Sequence, residues 1–163
     1  ELDLTMGGPE LADNLGQTSR RRSLYFRTTP DNKMEMLDLF DLANPNECYE
    51  RRESVMPQQS LALLNSALAL DLSRILAQKL TSEKKEAFTT AAFEWVLSRP
   101  PSKEEMSLSL KFLQAQEAQL AKGGTPFAGA NAAKVPAAKA PEQRARENLV
   151  QVLFNHNDFV TIR

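Results

Sequence analysis

Apolar residues recur at three- and four-residue steps through the middle of this chain, a period that predicts helices. Leu61, Leu64, Leu68, Leu72, Ile75, Leu76 and Leu80 form the strongest stripe, on a segment rich in Ala and Leu. Pro57 suits a first-turn position, so the stripe is read as one long helix from 57 to 80. Thr81-Ser82 is expected to end it and cap the next. Ala87, Phe88, Ala91, Ala92, Trp95 and Val96 make a second stripe, which Arg99-Pro100-Pro101 stops, because proline disfavours helix at the residue before it. Ser102-Lys103-Glu104-Glu105 has the form of a capping box, with Ser102 accepting from the third helical N–H and Glu105 reaching back. Met106, Leu110, Leu113 and Leu120 continue that third helix. Three consecutive helices with short joints predict an antiparallel bundle.

Outside this block the pattern weakens. Residues 1–32 have little periodicity and carry a turn signal at Gly7-Gly8-Pro9. Ser23 to Thr29 is the one strand-like run, aromatic and β-branched. It has no evident partner, so it is expected as an extended segment packed on helices or paired with a part outside this chain. Met34, Leu37, Leu39, Phe40 and Leu42 predict a helix of about two turns, capped by Asp31 or Asn32 and broken at Asn44-Pro45-Asn46. Residues 122–141 are Gly, Ala, Pro and Lys with one aromatic, Phe127, and read as a flexible insertion or exposed loop. Glu142 to Phe154 reads as a final helix, Asn155-His156-Asn157-Asp158 as its polar C-terminal cap, and Phe159 to Ile162 as a short extended tail docked on the core. The fold class is therefore all-α: one domain over 1–163, a bundle of about five helices with extended N- and C-terminal segments.

Composition narrows the chemistry. The chain has 163 residues, with 20 Lys plus Arg against 21 Asp plus Glu and a net charge of −1. A chain of this size buries about 70% of its unfolded surface and needs no staples. The balanced charge offers no global field for nucleic acid or an anionic membrane. No run reaches the ~20 apolar residues of a membrane span. One cysteine (Cys48) and one histidine (His156) exclude an internal disulfide, a CxxC zinc site, a CxxCH haem attachment, and zinc sites built on several such residues. No metal site or EF-hand spacing is expected. The opening Glu1-Leu2-Asp3, without Met or a signal-peptide pattern, is read as the interior of a longer protein of which this is the C-terminal part.

Candidate ligand or partner residues are few. Arg20, Arg21, Arg22 and Arg27 interleave with Tyr25 and Phe26, and guanidinium forks suit carboxylate or phosphate recognition. The plainer reading pairs them with the acidic run Glu35, Asp38, Asp41, Glu47, Glu50 and Glu53. Arg51 and Arg52 are expected to anchor a loop to the helix that follows. Gln58, Gln59 and Asn65 offer side-chain amides to a ligand such as a sugar, or to loop backbone near a helix end. Cys48 with His156 is the one nucleophile–base pair available, but no oxyanion-hole motif accompanies it. Asn155 to Asp158 also offers a metal or acid/base set, against the capping role preferred for it. Phe88, Trp95 and Phe112 are assigned to the core; an exposed tryptophan would instead point to carbohydrate stacking. No catalytic residue is assigned.

Several stretches taken in order carry a resemblance: Met6-Gly7-Gly8-Pro9, Arg21-Arg22-Ser23-Leu24-Tyr25, Cys48 with Arg51-Arg52, Pro57-Gln58-Gln59-Ser60-Leu61, Leu63-Leu64-Asn65, Ser98-Arg99-Pro100-Pro101, and Leu153-Phe154-Asn155-His156-Asn157-Asp158-Phe159. Together they resemble the C-terminal domain of unknown function of planctomycete-type surface and cytochrome c proteins, in its later part. The sequence departs from the pattern after Asn65, where Ser66-Ala67 stands in place of a more turn-like pair. The resemblance implies an exported protein, periplasmic or at the cell surface, with haem in an upstream module and none in this chain. It implies as partners the upstream domains of the same polypeptide or other exported proteins, and a cysteine upstream of Glu1 as a mate for Cys48. It carries no catalytic residue. Two functions follow as expectations: a non-catalytic scaffold or interaction module, or part of an enzyme acting on polysaccharide whose site upstream regions complete.

Overall fold

The computed structural model describes residues 3–16, 18–40, 42–43, 46, 57–81, 84–123 and 133–160. Seven α-helices lie among them, and no β-ladder beyond two isolated bridges. The fold is all-α, as the periodicity predicts. The chain divides into two compact units, Glu1–Ala62 and Leu63–Arg163.

Among the described residues of the Glu1–Ala62 unit, loops outnumber regular elements. Gly7 and Gly8 have φ of 73° and 93°, left-handed values that a side chain would strain. Asp3 bridges to Arg21, and Leu11 to Phe26, both in parallel. The expected strand is not one. Ser23–Tyr25 is a 3-10 turn, and only Phe26 keeps a single bridge, to a segment within this chain. Aromatic and β-branched content marks a half-buried surface rather than a backbone state, and here Phe26 is buried while Leu24 is exposed. Helix α1, Glu35–Leu39, is shorter than expected. Its N-cap is Met34, with no side-chain cap, in place of Asp31 or Asn32. Met34 instead serves as a buried anchor.

Helix α2, Pro57–Asn65, crosses the unit boundary. The single long helix expected from 57 to 80 is broken at Ser66, and α3 runs Ala67–Lys79. The Ser66 hydroxyl accepts from Ala69 N at 3.1 Å, an N-cap in mid-stripe. The break falls where the sequence departs from the resembling pattern. Leu61, although it lies on the stripe, is exposed.

In the Leu63–Arg163 unit, α4 is Lys85–Leu97, α5 Lys103–Ala121 and α6 Pro141–Leu153. Helix α6 packs on both α3 and α5, and α4 packs on α5 and α6. The final helix is thus a central member of the bundle, beyond the three consecutive helices predicted. Phe88, Ala92 and Phe93 of α4, Leu113 of α5, and Ala145, Leu149, Val150 and Leu153 of α6 meet in one core with Ala77 and Leu80. Trp95 is not in it: it is 58% exposed. Thr81 does not cap α4; its hydroxyl donates to Ala77 O, and the α4 N-cap is Lys84, without a side-chain cap. Ser98 closes α4 in the left-handed conformation, at φ 57°. The capping box forms as read: Glu105 N donates to Ser102 Oγ at 3.2 Å, and Ser102 N donates to Glu105 Oε2 at 2.7 Å. Ser102→Ala is expected to cost about 1 kcal/mol, seen as a lower urea midpoint with an unchanged slope.

The end of the chain differs from the expectation. Asn157–Val160 is a short helix, α7, where an extended tail was expected from Phe159. Residues 161 and 162 of that tail lie outside the described residues. Phe159 stays 42% exposed, with its ring 5.2 Å from that of Phe154.

Candidate functional site

Of the singled-out residues that can be described, Arg21 and Gln59 turn to main-chain carbonyls. Arg21 is half-buried; its Nη2 donates to Thr5 O at 3.0 Å and Gly7 O at 2.6 Å. Its guanidinium lies 3.7 Å from the centre of the Tyr25 ring. Gly7 N donates in turn to Tyr25 Oη at 3.1 Å. Two stretches of the resemblance, Met6 to Pro9 and Arg21 to Tyr25, are therefore one knot in space. Arg27 pairs with Glu10, and Asp38 with Lys33; Asp41, Glu47, Glu50 and Glu53 of the acidic run lie outside the described residues. Arg22 and Gln58 are exposed. Gln59 Nε2 donates to Leu39 O at 3.0 Å. Asn65 is exposed at the end of α2. Cys48, Arg51 and Arg52 lie outside the described residues, and with them the Cys48–His156 pairing.

One polar cluster among the described residues was missed as a unit by sequence reading. Arg99, after α4, takes two carboxylates from opposite sides. Its Nη1 and Nη2 donate to Glu105 Oε2 and Oε1 at 2.9 and 2.7 Å, a bidentate fork. Its Nε donates to Asp158 Oδ2 at 2.9 Å, and Nη2 lies 2.7 Å from the same oxygen. His156 completes the group, with Nε2 3.6 Å from Glu105 Oε1 and Nδ1 3.8 Å from Asp158 Oδ2. Asp158 N donates to His156 Nδ1 at 3.1 Å. The imidazole therefore opens α7, while Asn155 N and His156 N, donating to Val152 O and Leu153 O, close α6. Asn155 to Asp158 does more than the terminal cap expected of it: it joins two helices. The signal was present in two motifs 59 residues apart, Arg99-Pro100 and His156-Asn157-Asp158, but nothing in a linear reading connects them.

This arrangement fastens; it is poorly suited to proton transfer. The Arg99 fork, then the Ser102 N–H, hold the Glu105 carboxyl down at about 2. The hydrogen bonds that Arg99 donates to Glu105 and Asp158 raise it further above its ordinary value. A general base or acid works best with its pKa near the ambient pH, and these two move away from it. Among the described residues, no group of three or more His, Cys, Asp or Glu is placed to hold a metal ion.

The lowered carboxyl has a consequence for stability. Its folded value, about 2, lies below its ordinary 4.5. The pair is therefore fully stabilising above pH 4.5, and the gain is lost as pH falls toward 2 and the unfolded chain takes up the proton first. The Glu105 side chain is 25% exposed, so screening reduces the contribution to about 1 kcal/mol. Melting curves across this range should show a shallower acid decline for Glu105→Gln, which starts from a lower melting temperature at pH 7.

A second polar set lies within α6. Arg144, Arg146, Glu147 and Gln151 are all buried. Arg144 Nη1 pairs with Glu147 Oε2 at 3.0 Å. Arg146 donates to Thr81 O at 2.7 Å and Glu142 Oε1 at 2.9 Å, with its guanidinium 5.0 Å from the Phe88 ring centre. Gln151 Nε2 donates to Leu64 O.

Residues 1–113 of the chain match a family described as PSD1, protein of unknown function (DUF1553). The match takes in the Arg21 knot, the capping box and α5 through Leu113. It ends before α6 and before the closing stretch Leu153 to Phe159. No curated protein and no solved structure matches the chain.

Proposed function

The chain belongs to the DUF1553 family, and on that premise we propose that it is a non-catalytic scaffold or interaction module of a longer exported protein. The observation that supports this most is the Arg99 cluster. This set of charged side chains ties the α4–α5 joint to the segment after α6, with both carboxylates bonded to the guanidinium. Arg21 and Gln59 are likewise engaged with backbone carbonyls.

The motif resemblance extends the proposal. The module sits in the periplasm or at the cell surface, beside upstream domains that include a haem-carrying cytochrome c module. Its partners are those domains or other exported proteins. Fractionation of native cells with an antibody to this chain tests it. Recovery from the exported fraction, in a larger polypeptide with a haem Soret band, is the expected result. A cytosolic signal overturns the export, and polysaccharide turnover abolished by substitutions in this chain overturns the non-catalytic role.

A second reading has one observation in its favour. Trp95 is exposed on α4, with Lys79 Nζ 4.2 Å from the ring centre. An indole beside a cation suits a stacked sugar carrying an acidic group. Trp95 is the one tryptophan in the chain, so its fluorescence reports directly. A saturable change on titration with acidic oligosaccharides favours carbohydrate handling, and a flat response removes it.

A further inference from the structure

The one histidine of the chain stands in the position of a helix cap. His156 O accepts from Phe159 N at 2.9 Å and from Val160 N at 3.2 Å, and His156 Nδ1 accepts from Asp158 N at 3.1 Å. These are the bonds of an N-cap residue, whose carbonyl takes the first intrahelical donor while its side chain takes an early orphan N–H. Asn, Asp, Ser and Thr fill that role with oxygens that remain acceptors through the neutral range. An imidazole nitrogen accepts only while it carries no proton. The cap therefore requires neutral His156, with its proton on Nε2, the nitrogen 3.6 Å from Glu105 Oε1. Charged groups face the ring from the elements around it. Glu105 of α5 lies beside Nε2, Asp158 of α7 lies with Oδ2 3.8 Å from Nδ1, and Arg99 after α4 is bonded to both carboxylates. On the α6 side the residue is joined through its main chain, His156 N donating to Leu153 O. The carboxylates favour a cationic ring, whereas Arg99 and the N–H groups that open α7 oppose it. The imidazole is 31% exposed, so solvent protons reach it.

We infer that His156 is a proton-operated cap on α7, closed while the imidazole is neutral and opened when it is charged. A proton taken from water onto Nδ1 turns that nitrogen from acceptor to donor. The bond from Asp158 N is then lost, and the Asp158 carboxylate is left to accept from the new N–H. One residue thus offers its main chain to the neutral ring and its side chain to the charged one. Imidazole is the side chain that changes charge between pH 5 and 8. In that range Glu105, held at about 2, stays ionised and its fork with Arg99 is kept. The joint between α6 and α7 therefore answers to mild acid, well above the range in which the Arg99–Glu105 pair fails. The cap does not depend on the scaffold reading; it stands or falls on the protonation of one ring.

The test is nuclear magnetic resonance on the full, isotope-labelled chain, where a single histidine leaves the ring signals unambiguous. The nitrogen shifts of the neutral ring should show the proton on Nε2 and none on Nδ1. Protection of the Asp158 amide from hydrogen exchange, corrected for the intrinsic effect of pH, should fall about fivefold or more as the ring titrates, the usual worth of an N-cap. His156→Asn places an oxygen near the position of Nδ1 and cannot titrate. In that variant the Asp158 amide should keep its protection on both sides of the midpoint. A neutral ring protonated on Nδ1 overturns the inference, as does protection that does not change across the titration. A fall of the same size in the Asn variant also overturns it, since another group would then be responsible. If circular dichroism shows that the variant does not fold, the tautomer and the exchange rates of the unaltered chain decide.

Discussion

Glu147→Ala should destabilise the helical unit by about 3 kcal/mol or more, a large share of the roughly 5–15 kcal/mol that folded domains possess. Glu147 is 2% exposed. Its removal leaves the buried Arg144 guanidinium without this counter-charge and Ala138 N without its acceptor. Both penalties act in the folded state, where water cannot substitute. Glu147→Gln keeps an oxygen for Ala138 N while discarding the charge, so it should recover part of the loss. Urea unfolding followed by circular dichroism ranks the three proteins. Equal stability of the Ala variant and the unaltered chain would mean that the ion pair contributes nothing net.

The second large effect separates two aromatic residues that look equivalent in sequence. Phe88 and Trp95 are seven positions apart on α4, on one expected stripe. Phe88 is fully buried and Trp95 is 58% exposed. Phe88→Ala should cost about 3–5 kcal/mol, from lost burial plus the cavity left behind. Trp95→Ala should cost about 1 kcal/mol or less, chiefly the Lys79 contact. Thermal melts by circular dichroism separate the two. A Trp95→Ala loss as large as that of Phe88→Ala would place the indole in the core after all.

That pair shows what the sequence conveys and where it stops. Period fixes the helical segments, since each helix must bury one stripe, and the capping box at Ser102 is legible because all its parts lie within four residues. The interruption at Ser66 was not legible as a break: Leu64, Leu68 and Leu72 stay in phase across it, and only an unexpected dipeptide marks the place. Helix α6 was found through Leu149, Val150 and Leu153. Its buried Arg144, Arg146 and Glu147 carry no such signal, because a charged residue shows its burial only through its partners. Arg99 was seen as part of a stop signal. Its role depends on Glu105 and Asp158, and the latter arrives 59 residues later. Exposed Trp95 and the 3-10 turn at Ser23 share a cause: residue type sets a preference for burial or extension, and packing decides whether it is met.

The place of α6 in the bundle also bears on how the protein is made. It supplies Leu149, Val150 and Leu153 to the common core and packs on both α3 and α5, yet it leaves the ribosome after α3, α4 and α5. Until then α3, α4 and α5 are synthesised without the element that covers their apolar faces. Nascent chains of this unit must therefore remain open, and in need of protection from one another, until α6 itself has been made.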